Sequence, residues 1–508
     1  MPTSQAEQLS RLIQINRNRP SVRSWAQQAD LALKMNDMPA AQVALEALVA
    51  LKPDNPDYWN ALGNVRKRQG DSDQAVAHYQ RCLDLSPSHR AAVINHANAL
   101  LNLHRHEDVV KSLESHLAGY PRDTDALYTL GYAHQQLGNF KGAKAAYQKA
   151  QKAEPDHARC LAELLSVEDY QAGDSLLDKS KSLLRSSTLG SDDRIRLCFA
   201  IGAFSMRHKR YEQAFAFYDE GNALLRQSKP PYRLPTRASS VFLPRLDAQK
   251  GSSGPRPLFI LGLPRSGTSL LDQMLACHSA ITSVGELNVA ADLIKRAIRE
   301  HAQAGPQALM RAGQFARETY LAALQKRTKG ASSYTVDKSL DLPLALPELK
   351  ALFPEAKFVV LSRDLRDVAL SCYTTAFNFS NDYTTDFGRF FSYADMVTGF
   401  LDHQAAHDAD VFSLRYEDLA SDPKTSLEAA LNFLSLPFEA ECLNHHKARR
   451  VVRTESFWQV RQPVYTSAIG RWRTCETQLK DRHPRFCDDA LETIQSGQPI
   501  RPGREYAQ

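Results

Sequence analysis

Two short stretches of this chain place anion-binding residue types at spacings that chemistry can use. Gly262 to Ser269, GLPRSGTS, lies between the apolar run PLFILGL and the amphipathic LLDQMLACH, and so reads as strand, loop and helix. Glycines at those positions suit a loop whose backbone N–H groups cradle phosphate oxygens at a helix amino terminus. Thr268 stands where a nucleoside triphosphatase places the lysine that neutralises β- and γ-phosphates. Triphosphate chemistry therefore loses its main cation, while Arg265 offers a fork of donors. The second stretch, KFVVLSRDLRDVALSCYTTAF, begins with the strand-like FVVL and turns at Ser362 and Arg363 into a helix that carries Ser371. An arginine at a strand end and a serine about two helical turns on face one anion, one giving a charge-assisted hydrogen bond and the other a neutral one. Read alone, Arg363 would equally suit pairing with Asp364 or Asp367 on a solvated helix start.

The elements that must position these groups come from the whole chain. At 508 residues it exceeds what one hydrophobic core supports, so two or more domains are expected, and 43% hydrophobic with 24% charged residues is a globular composition. The net charge of +6 comes from 63 basic and 57 acidic residues mixed along the sequence, too diffuse for nucleic-acid binding. The 8 cysteines show neither CxxC spacing nor histidine partners at zinc spacing, so they read as reduced and packed, and no metal is expected. The amino terminus lacks the apolar stretch of a signal peptide and no later run could span a bilayer, which makes the cytoplasm the expected location.

Prolines recur at 53, 87, 121 and 155, a period of 34 residues. Trp25 and Trp59, the small residues Ala29, Gly63, Ala97 and Gly131, and Ala41, Ala75, Val109 and Ala143 keep the same phase. Small residues let two antiparallel helices approach, and proline ends the second helix of each unit. The pattern resembles tetratricopeptide repeats over residues 21–157, with the 89–123 unit departing at Val93, His96 and His104. A looser helical continuation that includes RYEQAFAFYDEGNALL places the end of the array at 228. A Pro-, Ser- and Gly-rich linker then covers 229–256, and an α/β domain with a central parallel sheet covers 257–508. Such an array presents a groove for a peptide or protein, or only scaffolds the domain behind it, and self-association stays open.

PLFILGLPRSGTSLLDQML resembles the 5′-phosphosulfate loop of sulfotransferases, closest in kind to the protein-tyrosine sulfotransferases. The resemblance implies a P-loop-type fold and 3′-phosphoadenosine 5′-phosphosulfate as co-substrate, held at its 5′ end by Arg265, Ser266, Gly267, Thr268 and Ser269. It assigns Arg363 and Ser371 to the 3′-phosphate, and where that family has a further arginine this chain has Thr375. Glu286, in SVGELN, resembles the family's catalytic base, and Lys338, in YTVDKSLDLP, its transition-state lysine. Tyr416 matches the tyrosine near the adenine nucleotide, Ser456 the second transition-state stabiliser, and Arg471 the basic residue before tryptophan in the closing loop; Glu417 and Asp418 read as structural.

The expected reaction is therefore in-line sulfuryl transfer to an acceptor hydroxyl. A peptide tyrosine is favoured by the resemblance, with sugar, lipid and small-molecule hydroxyls still open. The rival readings are a small-molecule kinase, against which the missing lysine argues, and a non-catalytic repeat adaptor.

Overall fold

The computed structural model describes residues 4–166, 174–231, 243–247, 256–328, 332–377, 382–447 and 459–487. The chain divides into two compact units, Met1–Arg185 and Ser186–Gln508.

The first unit is all helical, with Val22–Lys34 paired to Met38–Leu51, Pro56–Arg68 to Ser72–Leu85, Arg90–Asn102 to His106–Gly119, and Thr124–Gln136 to Phe140–Ala153. Each pair turns through one left-handed residue: Asn36, Gly70, His104 and Gly138 have φ of 59°, 84°, 58° and 77°. Glycine adopts that conformation freely, whereas a side chain crowds its own carbonyl there. Asp37, Asp71 and Asn139 then cap the second helix by accepting an amide of its first turn, and at the same register Arg105 supplies no side-chain cap. The 89–123 unit, irregular in sequence, is thus also the one with the weakest turn chemistry. Pro53, Pro87, Pro121 and Pro155 follow the C-caps Lys52, Ser86, Tyr120 and Glu154, where a missing N–H costs no helical bond. Gly63 and Gly131 are small for a steric reason, because a Cβ on either would lie 2.5 Å from the ring of Tyr79 or Tyr147.

The second unit is built on a five-stranded, wholly parallel sheet in the order β2-β3-β1-β4-β5. The strands are β1 (Arg256–Leu261), β2 (Ile281–Ser283), β3 (Tyr334–Asp337), β4 (Lys357–Ser362) and β5 (Val411–Arg415). Alternate residues of the apolar runs feed two cores: Phe259, Leu261, Phe358 and Val360 enter one, and Leu258, Ile260, Val359 and Leu361 the other. Helices therefore cover both faces, as parallel sheets require. Thr268–Leu275 and Pro423–Phe433 lie on one face, with Ala290–His301, Pro306–Arg327, Leu365–Tyr373 and Phe387–His407 on the other.

The division at Arg185 differs from the boundary at 228 that helical periodicity suggests. Ser191–Arg207 and Tyr211–Ser228 obey the repeat's packing rule, since a Cβ on Gly202 would meet the Tyr218 ring at 2.7 Å. Their outer faces nevertheless put Ile195, Phe199, Phe215 and Tyr218 into the core of the sheet unit. Asn222 also donates to the Tyr373 carbonyl at 2.9 Å and Arg226 to that of Thr385 at 2.5 Å. Within the stretch read as linker, Leu243 and Leu246 are buried in the same core, and the Leu246 amide donates to Ala351 O at 2.8 Å. Periodicity reports how helices pair with each other; it is silent about which core their other faces join. Among the described residues no helix is long and apolar enough to cross a membrane.

Candidate active site

Parallel strands send their carboxyl ends, and the loops that follow, to one edge of the sheet. β1 leads into the glycine loop and the helix Thr268–Leu275, β4 into Arg363, and β5 into Tyr416. Register keeps these exits level, with Leu261 opposite Val360 and Ser362 opposite Arg415. The loop itself turns through two left-handed residues, Arg265 at φ 68° and Gly267 at φ 105°. Gly267 has a second reason to lack a side chain, since a Cβ there would lie 2.5 Å from Cδ2 of Tyr416. Gly262 likewise lies under the Leu361 carbonyl, 2.6 Å from where its Cβ would be.

A cleft of about 120 Å³ opens at this edge. Arg265, Gly267, Thr268 and Ser269 line it from the loop, Arg363, Asp367 and Ser371 from the β4 segment, and Tyr416 and Arg471 from farther along the chain. Thr268 and Ser269 begin a helix and line the cleft, so the positive end of the helix dipole lies at this wall and attracts anions. Arg265 Nε donates to Ser371 Oγ at 2.9 Å, which ties the first segment to the second. Arg363 donates to the carbonyls of Arg265 and Ala468, at 3.1 and 2.5 Å, and its guanidinium lies 4.3 Å over the Tyr416 ring. Arg363 Nε is buried with no hydrogen-bond partner among the described residues. Leu270, Val460, Pro463, Val464 and Tyr465 give part of the cleft an apolar lining suited to a flat ring system. The residues present therefore fit a nucleotide that carries phosphate at more than one position.

Glu286 and Lys338 stand apart from the cleft lining and pair with each other, Nζ to Oε1 at 2.7 Å, at the ends of the neighbouring strands β2 and β3. Lys338 is 2% exposed and Glu286 21%. The backbone of Lys338 donates to Gly285 O at 3.0 Å, which holds the two loops together. Asp337 completes the clamp by accepting from Ser339 N and Oγ at 3.0 and 2.6 Å, from Tyr320 OH at 3.0 Å and from Leu287 N at 3.4 Å. Burial pushes the Asp337 carboxyl above its ordinary range, against the pull of these donors.

Of the residues singled out from the sequence, Arg265, Gly267, Thr268, Ser269, Arg363, Ser371, Tyr416 and Arg471 line one cleft. Ser266 does not line it: this residue is buried and its Oγ donates to Leu263 O at 2.8 Å, fixing the loop from within. Ser456 lies outside the described residues. Glu417 accepts the Asp364 amide at 2.9 Å. Sequence reading missed Asp337 and took Asp367 only as a possible partner of Arg363. Their signal was weak, each being an acidic residue beside a recognised cation, and only the tertiary fold shows which backbone amides they hold.

Residues 257–440 match the model of the sulfotransferase family, and residues 8–153 that of the cytochrome c-type biogenesis protein H TPR domain. An uncharacterized protein of Aquifex aeolicus is 26% identical over 410 residues, which cover 74% of this chain and 51% of that one. The chain thus spans about half the length of that relative. A protein described as a putative protein-tyrosine sulfotransferase of Caenorhabditis briggsae is 22% identical, over 48% of this chain and 86% of its own. Protein-tyrosine sulfotransferase 1 of Danio rerio is 26% identical over 42% and 65%. Among solved structures, the sulfotransferase domain of the Synechococcus PCC 7002 olefin synthase is 22% identical over 45% of this chain and 91% of its own, with a TM-score of 0.33.

Proposed function

With a sulfotransferase-family domain at residues 257–440 and a tetratricopeptide-type domain before it, we propose that this protein transfers a sulfuryl group from 3′-phosphoadenosine 5′-phosphosulfate to an acceptor hydroxyl, a peptide tyrosine in the first instance. The observation that carries the reading is the joining of two anion-binding segments, 106 residues apart in sequence, through the Arg265–Ser371 hydrogen bond in a cleft flanked by helix-terminal amides. Relatives described as tyrosine sulfotransferases support the acceptor class.

In this reading Arg363 and Ser371 bind the 3′-phosphate, while the loop from Arg265 to Ser269 holds the 5′-phosphosulfate. The acceptor oxygen attacks sulfur as the bond from sulfur to the bridging phosphate oxygen breaks. The hydroxyl proton passes to a Glu286 carboxylate oxygen, and adenosine 3′,5′-bisphosphate leaves. Lys338 stabilises the charge that builds on the sulfuryl oxygens and the departing phosphate, an interaction stronger in the transition state than before it. Ser456 joins it as second stabiliser. In the structure Lys338 Nζ donates to Glu286 Oε1 at 2.7 Å, so the two groups already face each other. A peptide or protein is the kind of ligand for which a helical array of this type offers a surface.

Calorimetric titration with adenosine 3′,5′-bisphosphate, with ATP as control, tests the reading on wild type, Arg265→Ala and Arg363→Ala. Metal-independent binding that falls at least about tenfold in both variants supports it, that being the loss of one charge-assisted hydrogen bond or more. Preference for ATP with Mg²⁺ would move the reading to a kinase, and no binding at all to an adaptor.

A further inference from the structure

The backbone from Ala468 to Trp472 forms part of the cleft wall, yet it belongs to no strand or long helix that could hold it there. Its anchors are polar. The Ala468 carbonyl accepts Arg363 Nη2 at 2.5 Å, and the amides of Gly470 and Trp472 donate to the two carboxylate oxygens of Asp367 at 2.7 and 3.0 Å. The Asp367 side chain has no solvent exposure, so these amides replace its lost hydration. Its Oδ2 also lies 3.8 Å from Arg363 Nη2, one helical turn back. Gly470 takes φ 67°, and the Trp472 indole is buried with Arg366 and Arg473 guanidinium groups 4.2 and 4.5 Å over its ring.

Arg363 thus serves two structures at once. It lines the cleft, and it ties the 468–472 strap through Ala468. Without Asp367 the polar ties of the strap would reduce to the one from Arg363, and any phosphate drawing the guanidinium into the cleft would pull against that tie.

We infer that Asp367 is a positioning residue for nucleotide binding. By holding the Gly470 and Trp472 amides and facing Arg363, it fixes the guanidinium where a 3′-phosphate meets it and seats Arg471 in the cleft wall. The inference rests on the nucleotide reading proposed above. It predicts an effect confined to ligands that carry the 3′-phosphate.

The full-length chain and its Asp367→Asn and Asp367→Ala variants are titrated with adenosine 3′,5′-bisphosphate and, separately, adenosine 5′-monophosphate. Affinity for the bisphosphate should fall about tenfold or more in both variants, the scale of a lost charge-assisted contact, while affinity for the monophosphate changes less than about threefold. A purely structural role weakens both ligands alike, so equal losses, or none, overturn the inference. Should a variant melt below the assay temperature, amide exchange at Gly470 and Trp472 in wild type decides the matter. The bisphosphate should slow both amides about tenfold more than the monophosphate does, and equal protection overturns the inference. Wild type that binds neither ligand overturns the nucleotide reading and this inference with it. Bisphosphate binding that is indifferent to both variants removes only the role given to Asp367.

Discussion

Glu286→Gln should damage this protein in two separable ways. The substitution keeps shape and removes charge, leaving the Lys338 ammonium, 2% exposed, with no carboxylate at 2.7 Å. Removing one partner of a buried pair costs about 3–5 kcal/mol, because the remaining charge stays desolvated. With Glu286 itself 21% exposed, the lower end, about 3 kcal/mol, is the expected loss. At roughly 2 °C per kcal/mol for a unit of this size, the melting temperature falls by about 6 °C. Lys338→Met should cost less, since it leaves unpaired the carboxylate that water already reaches. The double variant, with neither charge, should recover most of the single loss, because an apolar replacement of a buried pair is close to neutral. Calorimetric melting of the four proteins measures the coupling, and sulfuryl transfer to a tyrosine peptide measures turnover. Turnover in Glu286→Gln should drop about 10²- to 10⁴-fold, the usual worth of a general base, with bisphosphate affinity unchanged. Additive melting losses would refute the claim that the two charges depend on each other. Unchanged turnover would refute the base.

Gly267→Ala forces a side chain into φ 105° with its Cβ 2.5 Å from Tyr416, so bisphosphate affinity should fall more than about tenfold in titration, the cost of backbone strain and overpacking together. Gly63→Ala drives a methyl into the Tyr79 ring and should destabilise the helical array by about 1–3 kcal/mol in urea melts followed by circular dichroism. Burial, and then His446 nearby, pushes the His445 imidazole down to about 4, while the Gln462 backbone favours the charged ring. Folded His445 therefore stays neutral where the unfolded chain takes up a proton, and its contribution is intact above about pH 6.5 and is lost as pH falls toward 4. Urea midpoints should decline over that window in wild type and less steeply in His445→Gln, by up to about 3 kcal/mol at the acid end.

What could be read before any coordinates were local in sequence. The 34-residue period and the strand-loop-helix around Arg265 each follow from a few neighbouring residues, and the structure has them. The doubly covered parallel sheet was legible too, because β1 and β4 are uninterrupted apolar runs with no polar face. The limit came where one feature serves two structures. The helices from Ser191 to Ser228 keep the repeat's Gly–Tyr contact and still join the sheet core, which no period can reveal. Arg363 was weighed as either an anion ligand or the partner of a nearby aspartate, and the structure puts it in the cleft lining and 3.8 Å from Asp367 at once. The amides that Asp337 and Asp367 hold come from 50 and up to 105 residues away, a distance over which residue type alone carries no information.

The way Ser191–Arg207 and Tyr211–Ser228 are shared between two kinds of architecture sets where this protein can be cut. Trimming at the apparent end of the array, after Ser228, would strip Phe199, Phe215 and Tyr218 from the sheet's own interior and open a greasy face to water. Such a fragment should aggregate on expression. One that starts at Ser186 keeps both helices with the core they join, and is the natural piece for crystallisation or transplantation.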